Sequence, residues 1–113
     1  MILSAHRFHG HNSLRFVYAN GKTYRSSLFA LKVAANPRRK SYRCAVVVSK
    51  KVSKSAVMRN RIRRRLYEQV RLLTIAAPVD IVVTVFSADI ATIPAAELQS
   101  AFQALLRQSS VIE

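Results

Sequence analysis

The sequence predicts a small α/β fold of the α+β kind, a two-layer sandwich in which helices pack on a sheet of three to four strands. Two runs rich in valine, 42–49 and 79–86, predict strands that are largely buried on both faces. Between them, residues 50–71 have the periodicity of an amphipathic helix, and a connection of this length permits the two strands to pair in parallel. The 113 residues suit a single domain that spans 1–113.

Residues 1–11 precede the first recognisable element, and we expect them to form a flexible basic arm. His6, His9 and His11 fall within this arm. Neither a cysteine nor an acidic residue stands near them in the sequence to complete a closed metal site, so we interpret the three histidines as surface residues.

Residues 12–20 are compatible with two structures. Asn12 or Ser13 can cap a short helix that ends at Asn20-Gly21. An Asn-Gly pair between apolar runs is also a strong signal for a β-hairpin. The residue pattern alone does not choose between the helix and the hairpin.

Residues 27–33 predict a strand with two distinct faces, because side chains alternate along an extended chain. The alternation places on one face Leu28, Ala30 and Lys32, and on the other Phe29, Leu31 and Val33. A turn at 34–41, which contains a proline and three basic residues, leads to the strand at 42–49.

Residues 50–71 are the most strongly patterned part of the chain. At 3.6 residues per turn, one apolar stripe is formed by Met58, Ile62, Leu66, Val70 and Leu73. Six arginines and a single acid, Glu68, share the stretch, and either Ser53 or Ser55 can be the N-cap. Like charges at this spacing destabilise a helix. The pattern therefore indicates a helix that binds a polyanion, and nucleic acid is the favoured partner.

A second amphipathic helix is predicted near the end of the sequence. Pro94 suits its first turn, and the helix runs to about Arg107. Its apolar face has the i, i+3, i+4, i+7, i+8 spacing of a helix that packs on a core, with Leu98, Ala101, Phe102, Leu105 and Leu106.

Composition narrows the class of protein. Lysine and arginine number 19 against 5 acidic residues, which gives a formal net charge of +14. The acids form no cluster of the kind that a metal-dependent protein nuclease uses, so we expect no catalytic residues in this chain. Cys44 is the single cysteine, which excludes an internal disulfide, and its apolar neighbours favour a core position. Because no run approaches the roughly 20 apolar residues of a membrane span, we expect a cytoplasmic protein without membrane contact.

The order of residues in the basic stretch is similar to a family signature. Lys50 and Lys51 follow the second strand, and the motif RNRIRRR follows at 59–65. This arrangement resembles the central basic motif of the bacterial ribonuclease P protein subunit. The resemblance extends over nearly the whole chain, from a short opening element that ends near Gly21 to the last amphipathic helix.

The resemblance implies a compact fold with three helices, a helix at 12–20 and a βαβ crossover of the unusual left-handed kind. It also implies assembly with the large catalytic RNA of ribonuclease P, which removes the 5′ leader from precursor tRNA by metal-dependent hydrolysis. Mg²⁺ is then bound mainly by that RNA, and no obligate protein partner is expected. The implied enzyme is a ribonucleoprotein endonuclease, to which this chain contributes binding of the RNA and of the leader.

Family roles can be transferred to the positions that match the motif. Together with the neighbouring Lys54 and Arg65, the expected RNA contacts are Lys50, Lys51, Lys54, Arg59, Asn60, Arg61, Arg63, Arg64 and Arg65. The expected leader cleft is formed by Leu14, Tyr18, Phe29 and Lys32. Leu14 and Lys32 stand where relatives often carry aromatic residues, so two stacking positions are lost, and we expect leader binding to depend more on charge and less on stacking. In a separate departure from the family pattern, Phe86 stands after the third predicted strand where an arginine is usual.

Two other functions fit the composition. A non-enzymatic structural RNA-binding protein, such as a small ribosomal protein, has similar charge, but the ordered motif argues against it. A duplex DNA-binding protein with the arginine-rich helix in a major groove is the third possibility. No helix-turn-helix is recognisable, and the valine-rich strand directly before the helix argues against one.

Overall fold

The structure is a computed structural model that describes residues 11–36, 41–72 and 78–109, with side chains from residue 14 onward. The elements follow in the order α1 (His11–Asn20), β1 (Lys22–Arg25), β2 (Phe29–Ala35), β3 (Arg43–Val47), α2 (Ala56–Arg71), β4 (Val79–Val85), a short 3-10 helix (Ala88–Ala91) and α3 (Ala95–Gln108). The predicted arm at 1–11 lies outside the described residues, apart from His11, with which α1 begins.

Residues 12–20 form a helix, as the resemblance implied, and not a hairpin. The Gly21 N–H donates to the Val17 carbonyl at 2.7 Å, and the Asn20 side-chain amide donates to the Phe16 carbonyl at 2.9 Å, so both close the last turn. A Cβ atom at Gly21 would lie 2.7 Å from the Val17 carbonyl oxygen and 2.9 Å from Cγ of Lys32. Glycine is therefore required where the end of α1 approaches β2 closely.

In the described part of the chain, four strands form one mixed sheet in the order β1-β2-β4-β3. β2 pairs with β1 and with β4 in antiparallel fashion, whereas β3 and β4 pair in parallel. The parallel pairing predicted for the two valine-rich strands is confirmed. β1 was not predicted from the sequence. It forms a hairpin with β2, and in the turn between them the Ser26 hydroxyl accepts hydrogen bonds from the main-chain N–H groups of Leu28 and Phe29.

The two faces of the sheet carry different helices. One face packs against α2 and α3 and holds the larger core, which includes Phe29, Leu31, Val46, Val83 and Phe102. The other face packs against α1 in a smaller cluster made of Val17, Ala34, Ala45 and Val82. The predicted α+β class with three helices is confirmed, and α1 adds a further layer to the two that the sequence predicted.

The arginine-rich helix begins where the sequence allowed. Ser55 is its N-cap, and its hydroxyl accepts a hydrogen bond from the main-chain N–H of Met58 at 3.3 Å. The predicted stripe is buried at Ile62, Leu66 and Val70, whereas Leu73 lies outside the described residues. Of the helices that the structure describes, none combines the length and the apolar character needed to cross a membrane.

A buried ion pair joins three strands at one end of the sheet. Asp80 is fully buried at the start of β4, and it accepts two hydrogen bonds from the Arg43 guanidinium, at 3.0 and 2.8 Å. The Asn36 side-chain amide, just after β2, donates to the same carboxylate at 2.8 Å. These hydrogen bonds compensate for the removal of the carboxylate from water.

The outer edge of β3 is partly covered by α2. The Tyr67 hydroxyl accepts a hydrogen bond from the main-chain N–H of Val46 at 3.1 Å. This contact satisfies one of the N–H groups that an edge strand otherwise presents to other chains.

Cys44 gives a direct probe of this core. The side chain is fully buried, and burial raises the pKa of its thiol to about 12. Because the thiolate is the reactive form, native protein at pH 7 should react with a maleimide at least about 1,000-fold more slowly than unfolded protein. Labelling rates with and without 6 M guanidinium chloride test this expectation. Rapid labelling that leaves the folded structure intact would contradict it.

Candidate nucleic-acid interface

The predicted RNA-binding residues lie on α2 and on the loop that precedes it. The loop lysines Lys50, Lys51 and Lys54 are exposed, and so are Asn60, Arg61 and Arg64 on the helix. Arg59, Arg63 and Arg65 are half-buried. The first turn of α2 carries no acidic residue, so positive charge accumulates at the N-terminal end of the helix.

The acid in this helix lies towards its C-terminal end. Glu68 forms an ion pair with Arg71, with 3.0 Å between the carboxylate oxygen Oε2 and the guanidinium nitrogen Nη2. Hydrogen bonding to Arg71 lowers the pKa of the Glu68 carboxyl. Because the compensating charge sits at the far end, the first turns of α2 remain strongly cationic.

Two arginine contacts organise this cationic end. Arg59 donates to the main-chain carbonyl of Ser53 at 2.9 Å and so fastens the lysine loop to the helix. Arg63 donates to the side-chain oxygen of Asn60 at 2.5 Å. Asn60 therefore orients a neighbouring arginine, a role that is compatible with an RNA contact from either side chain.

Arg65 is engaged in the fold itself. Its two terminal nitrogens donate to the carbonyls of Ile90 and Ile93, each at 2.5 Å. Arg61 donates through Nε to the carbonyl of Ala91 at 2.9 Å. These carbonyls lie around the C-terminal end of the 3-10 helix, where a cation is favourable. The two arginines thus dock this segment onto α2, and Arg61 keeps its terminal nitrogens for other partners.

Replacing Arg65 with methionine should lower the free energy of unfolding by about 1–3 kcal/mol, because carbonyls beside the buried Ile90 lose their donors. Urea denaturation measures the change. Arg64→Met is the matched control, since Arg64 is an exposed arginine on the same helix and its replacement should change stability by less than about 0.5 kcal/mol. Equal effects of the two variants would contradict the docking role of Arg65.

A shallow depression of about 470 Å³ lies between α2 and the start of α3. It is lined by Arg61, Arg64, Arg65, Glu68, Gln69 and Ala95. Three arginines against one carboxylate make it suitable for an anionic chain, and its shallowness suits a ribose-phosphate backbone more than a small metabolite.

The predicted leader cleft is partly assembled on the other face of the sheet. Tyr18 of α1 is 45% exposed, and the Lys32 ammonium lies 5.7 Å from the centroid of its ring. Leu14 is half-buried and packs against the small core cluster beneath α1. An exposed aromatic ring beside a lysine is a surface on which a nucleotide base can stack.

Phe29 does not belong to this cleft, and its prediction was wrong. The side chain is fully buried on the opposite face, with its ring centroid 5.7 Å from that of Phe102 in α3. Side chains alternate between the two faces along β2, so residues two apart share a face and residues three apart do not. Phe29 and Lys32 are three apart and therefore lie on opposite faces. The residue of β2 that shares the cleft face next to Lys32 is Ala30.

Phe86 is a second aromatic residue on that face, and its departure from the family pattern did not predict an exposed ring there. Phe86, directly after β4, is 41% exposed, and the Arg25 guanidinium lies 5.1 Å from the centroid of its ring. The feature of the sequence that could have indicated this ring is a large aromatic residue directly after an apolar strand.

Possible metal ligands are separated in the described parts of the chain. Across residues 11–36, 41–72 and 78–109, no three histidine, cysteine, aspartate or glutamate side chains come together. Asp80 is already bonded to Arg43 and Asn36. The described residues thus offer no clustered carboxylate site for Mg²⁺.

Comparison with known proteins identifies the family. The family model for Ribonuclease P matches residues 3–110. The ribonuclease P protein component of Chloroflexus aurantiacus is 39% identical over 110 residues, which cover 96% of this chain and 80% of the relative. The chain belongs to the ribonuclease P protein family. The corresponding protein of Roseiflexus castenholzii is 38% identical over 111 residues, which cover 96% of this chain and 89% of that relative.

Solved ribonuclease P proteins share the fold. The structure of the Staphylococcus aureus protein superposes with a TM-score of 0.84 at 21% identity, covering 96% of this chain and 98% of that one. The Thermotoga maritima protein superposes with a TM-score of 0.76 at 23% identity, covering 88% and 91% of the two chains. At these identities the comparison supports the three helices and the four-stranded mixed sheet.

Membership of this family gives the chain its role. It is a protein subunit of ribonuclease P, a ribonucleoprotein in which the protein assists catalysis by RNA. Its partner is therefore an RNA, and the non-enzymatic structural RNA-binding alternative is not favoured.

Proposed function

We propose that this chain binds the catalytic RNA of ribonuclease P through the exposed side of α2 and the lysine loop, and holds the 5′ leader of precursor tRNA on the sheet face beside α1. Both contacts promote endonucleolytic 5′ maturation of tRNA. The observation that carries the proposal is the cationic N-terminal half of α2, whose balancing acid is paired at the far end of the helix.

Phosphate contacts account for the first interaction. Arginine forks bind phosphate oxygens in pairs, and lysines act as mobile point charges. The exposed members of the proposed surface are Lys50, Lys51, Lys54, Arg61 and Arg64, with Arg63 oriented by Asn60. Because these charges displace counterions from the RNA, we expect affinity to fall steeply as salt rises.

Stacking and charge account for the second interaction. Tyr18 offers an exposed ring and Lys32 a cation beside it. One base stacked on an aromatic side chain contributes about 1–3 kcal/mol, and such stacking tolerates any sequence. This tolerance suits a leader, which differs from one precursor to the next.

Metal chemistry is assigned to the RNA. Mg²⁺ activates water for hydrolysis of a phosphodiester, and we propose that RNA phosphates hold it. The arginines of α2 contribute by lowering the repulsion between RNA segments that must come close together to bind the metal. We place this reaction in the cytoplasm, where precursor tRNA is made and processed in bacteria.

Cleavage of precursor tRNA at low Mg²⁺ tests the proposed function. A bacterial ribonuclease P RNA is assayed with and without the chain, and the affinities of the complex for precursor and mature tRNA are compared. The proposal expects faster cleavage and tighter binding of the precursor. RNA binding that is sensitive to salt but gives no stimulation would favour a structural RNA-binding protein instead.

Replacing Tyr18 with alanine should weaken binding of precursor tRNA by about 5- to 150-fold, the equivalent of one lost stacking contact. Binding of mature tRNA, which has no leader, should not change. Equilibrium binding to the reconstituted complex measures both, and Tyr18→Phe, which keeps the ring, should behave like the natural chain. Equal losses for the two RNAs would argue against a leader site at Tyr18.

A further inference from the structure

Two pairs, each made of an aromatic ring and a cation, lie on the same face of the sheet. Tyr18 pairs with Lys32 at 5.7 Å, and Phe86 pairs with Arg25 at 5.1 Å, both measured to the ring centroid. The first pair belongs to the cleft beside α1. The second pair, Phe86 with Arg25, has no role in the proposed function.

The register of the sheet shows that the two pairs share a face. Arg25 stands opposite Ala30, which stands opposite Thr84 on β4. Ala30 is two residues from Lys32, so the two side chains point to the same side. Tyr24, next to Arg25, packs against the larger core on the other side. Arg25 therefore points to the cleft face, where it meets Phe86.

The register also gives the spacing of the two pairs. The Phe86 N–H donates to the Leu28 carbonyl at 2.9 Å, so Phe86 is level with a residue four positions along the strand from Lys32. At about 3.3 Å per residue, the two pairs lie roughly 13 Å apart. Ala30 and Thr84 occupy the sheet between them, and these small side chains leave a low floor over which a strand of RNA can pass.

The charge around Phe86 favours a nucleic acid as the molecule that covers the ring. Arg25 is exposed beside the ring, and Lys32 lies on the same face of the sheet, two residues along β2 from Ala30. Asp80, whose position on β4 places it on this face, is fully buried and paired with Arg43, so it does not offset these cations. An exposed ring held under a guanidinium is a surface of the kind on which an unpaired base stacks.

We propose that Phe86 and Arg25 form a second stacking platform, so that the site for single-stranded RNA runs from Tyr18 across the sheet to Phe86. This inference rests on the proposed function, because it extends the leader site that function requires. The leader then contacts two platforms, and the second can contribute only when the leader is long enough to reach both.

Precursor tRNAs whose leaders are shortened one nucleotide at a time provide the test, with a bacterial ribonuclease P RNA and the full chain. Phe86→Leu keeps an apolar side chain but removes the ring, and it should weaken binding of the long-leader precursor by about fivefold or more. Phe86→Trp should retain binding. The effects of Phe86→Leu and Tyr18→Ala should disappear at leader lengths that differ by about four nucleotides, given a rise of about 3.4 Å per stacked base.

Arg25→Gln is the second variant, because Arg25 is exposed and its replacement leaves the core intact. It should also weaken binding of the long-leader precursor and leave mature tRNA unaffected. If the natural chain prefers precursor to mature tRNA but neither variant changes that preference at any leader length, the second platform is refuted and the proposed function stands. If a variant weakened binding of mature and precursor tRNA equally, the second platform would also be refuted. If the natural chain showed no preference for precursor over mature tRNA, both the second platform and the proposed function would be refuted.

Discussion

Replacing Asp80 with alanine should lower the free energy of unfolding by about 3–5 kcal/mol, the cost of removing one member of a buried ion pair. The Arg43 guanidinium, whose side chain is 12% exposed, would lose both hydrogen bonds to the carboxylate, and Asn36 would lose its acceptor. Domains of this size are stable by only about 5–15 kcal/mol, so the loss is a large fraction of the total. Urea denaturation measures it.

Two further variants identify the cause of that loss. Asp89→Ala removes an exposed aspartate and should change stability by less than about 0.5 kcal/mol. Replacing both residues, with Asp80→Leu and Arg43→Met, removes both charges of the pair together and should recover much of the loss. An Asp80→Ala variant within about 1 kcal/mol of the natural chain would show that the ion pair contributes little.

Replacing Arg63 and Arg64 together with alanine should weaken binding of ribonuclease P RNA by about 100-fold at low salt, if each makes one charged hydrogen-bonded contact. The plot of log affinity against log salt should become less steep by about 1.4–1.8, since each lost phosphate contact removes about 0.7–0.9. These two arginines are preferred to Arg59 and Arg61, whose guanidinium groups also hold the Ser53 loop and the 3-10 helix.

The control for this experiment removes the same charge from another place. Arg71 is paired with Glu68, and Arg107 lies in the last turn of α3, outside the proposed RNA surface. The Arg71→Ala/Arg107→Ala variant should therefore keep the salt dependence of the natural chain. If the control and the Arg63/Arg64 variant lost affinity equally, net charge and not a defined surface on α2 would govern binding.

The parts of the fold that could be predicted from sequence are those with a strong local period. The stripe through Ile62, Leu66 and Val70 predicted the buried side of α2, because no other helix orientation hides these residues and exposes the arginines. The two valine-rich runs predicted strands, and the length of the connection between them indicated parallel pairing. The family signature then resolved 12–20 as a helix.

The parts that could not be predicted depend on contacts between distant residues. Periodicity places Arg65 beside the apolar stripe, but only the position of the 3-10 helix shows that carbonyls of Ile90 and Ile93 meet its guanidinium. Asp80 stands near the start of a valine-rich run, and its burial depends on the approach of Arg43 from a neighbouring strand, which no local pattern shows. For Phe29, the alternation of side chains along the strand already placed it on the face opposite Lys32. The error was to give Phe29 the cleft role of the family in spite of that alternation.

The central position of β4 sets the order in which this chain can fold while it is being synthesised. β2 and β3 each pair with β4 and not with one another, and the register joins Phe29 to Val85 and Val47 to Thr84. Until β4 begins to leave the ribosome, the β1–β2 hairpin is the only strand pairing of this sheet that can form. The arginine-rich helix is therefore made, and is open to any nearby RNA, before the sheet that buries its apolar side is complete.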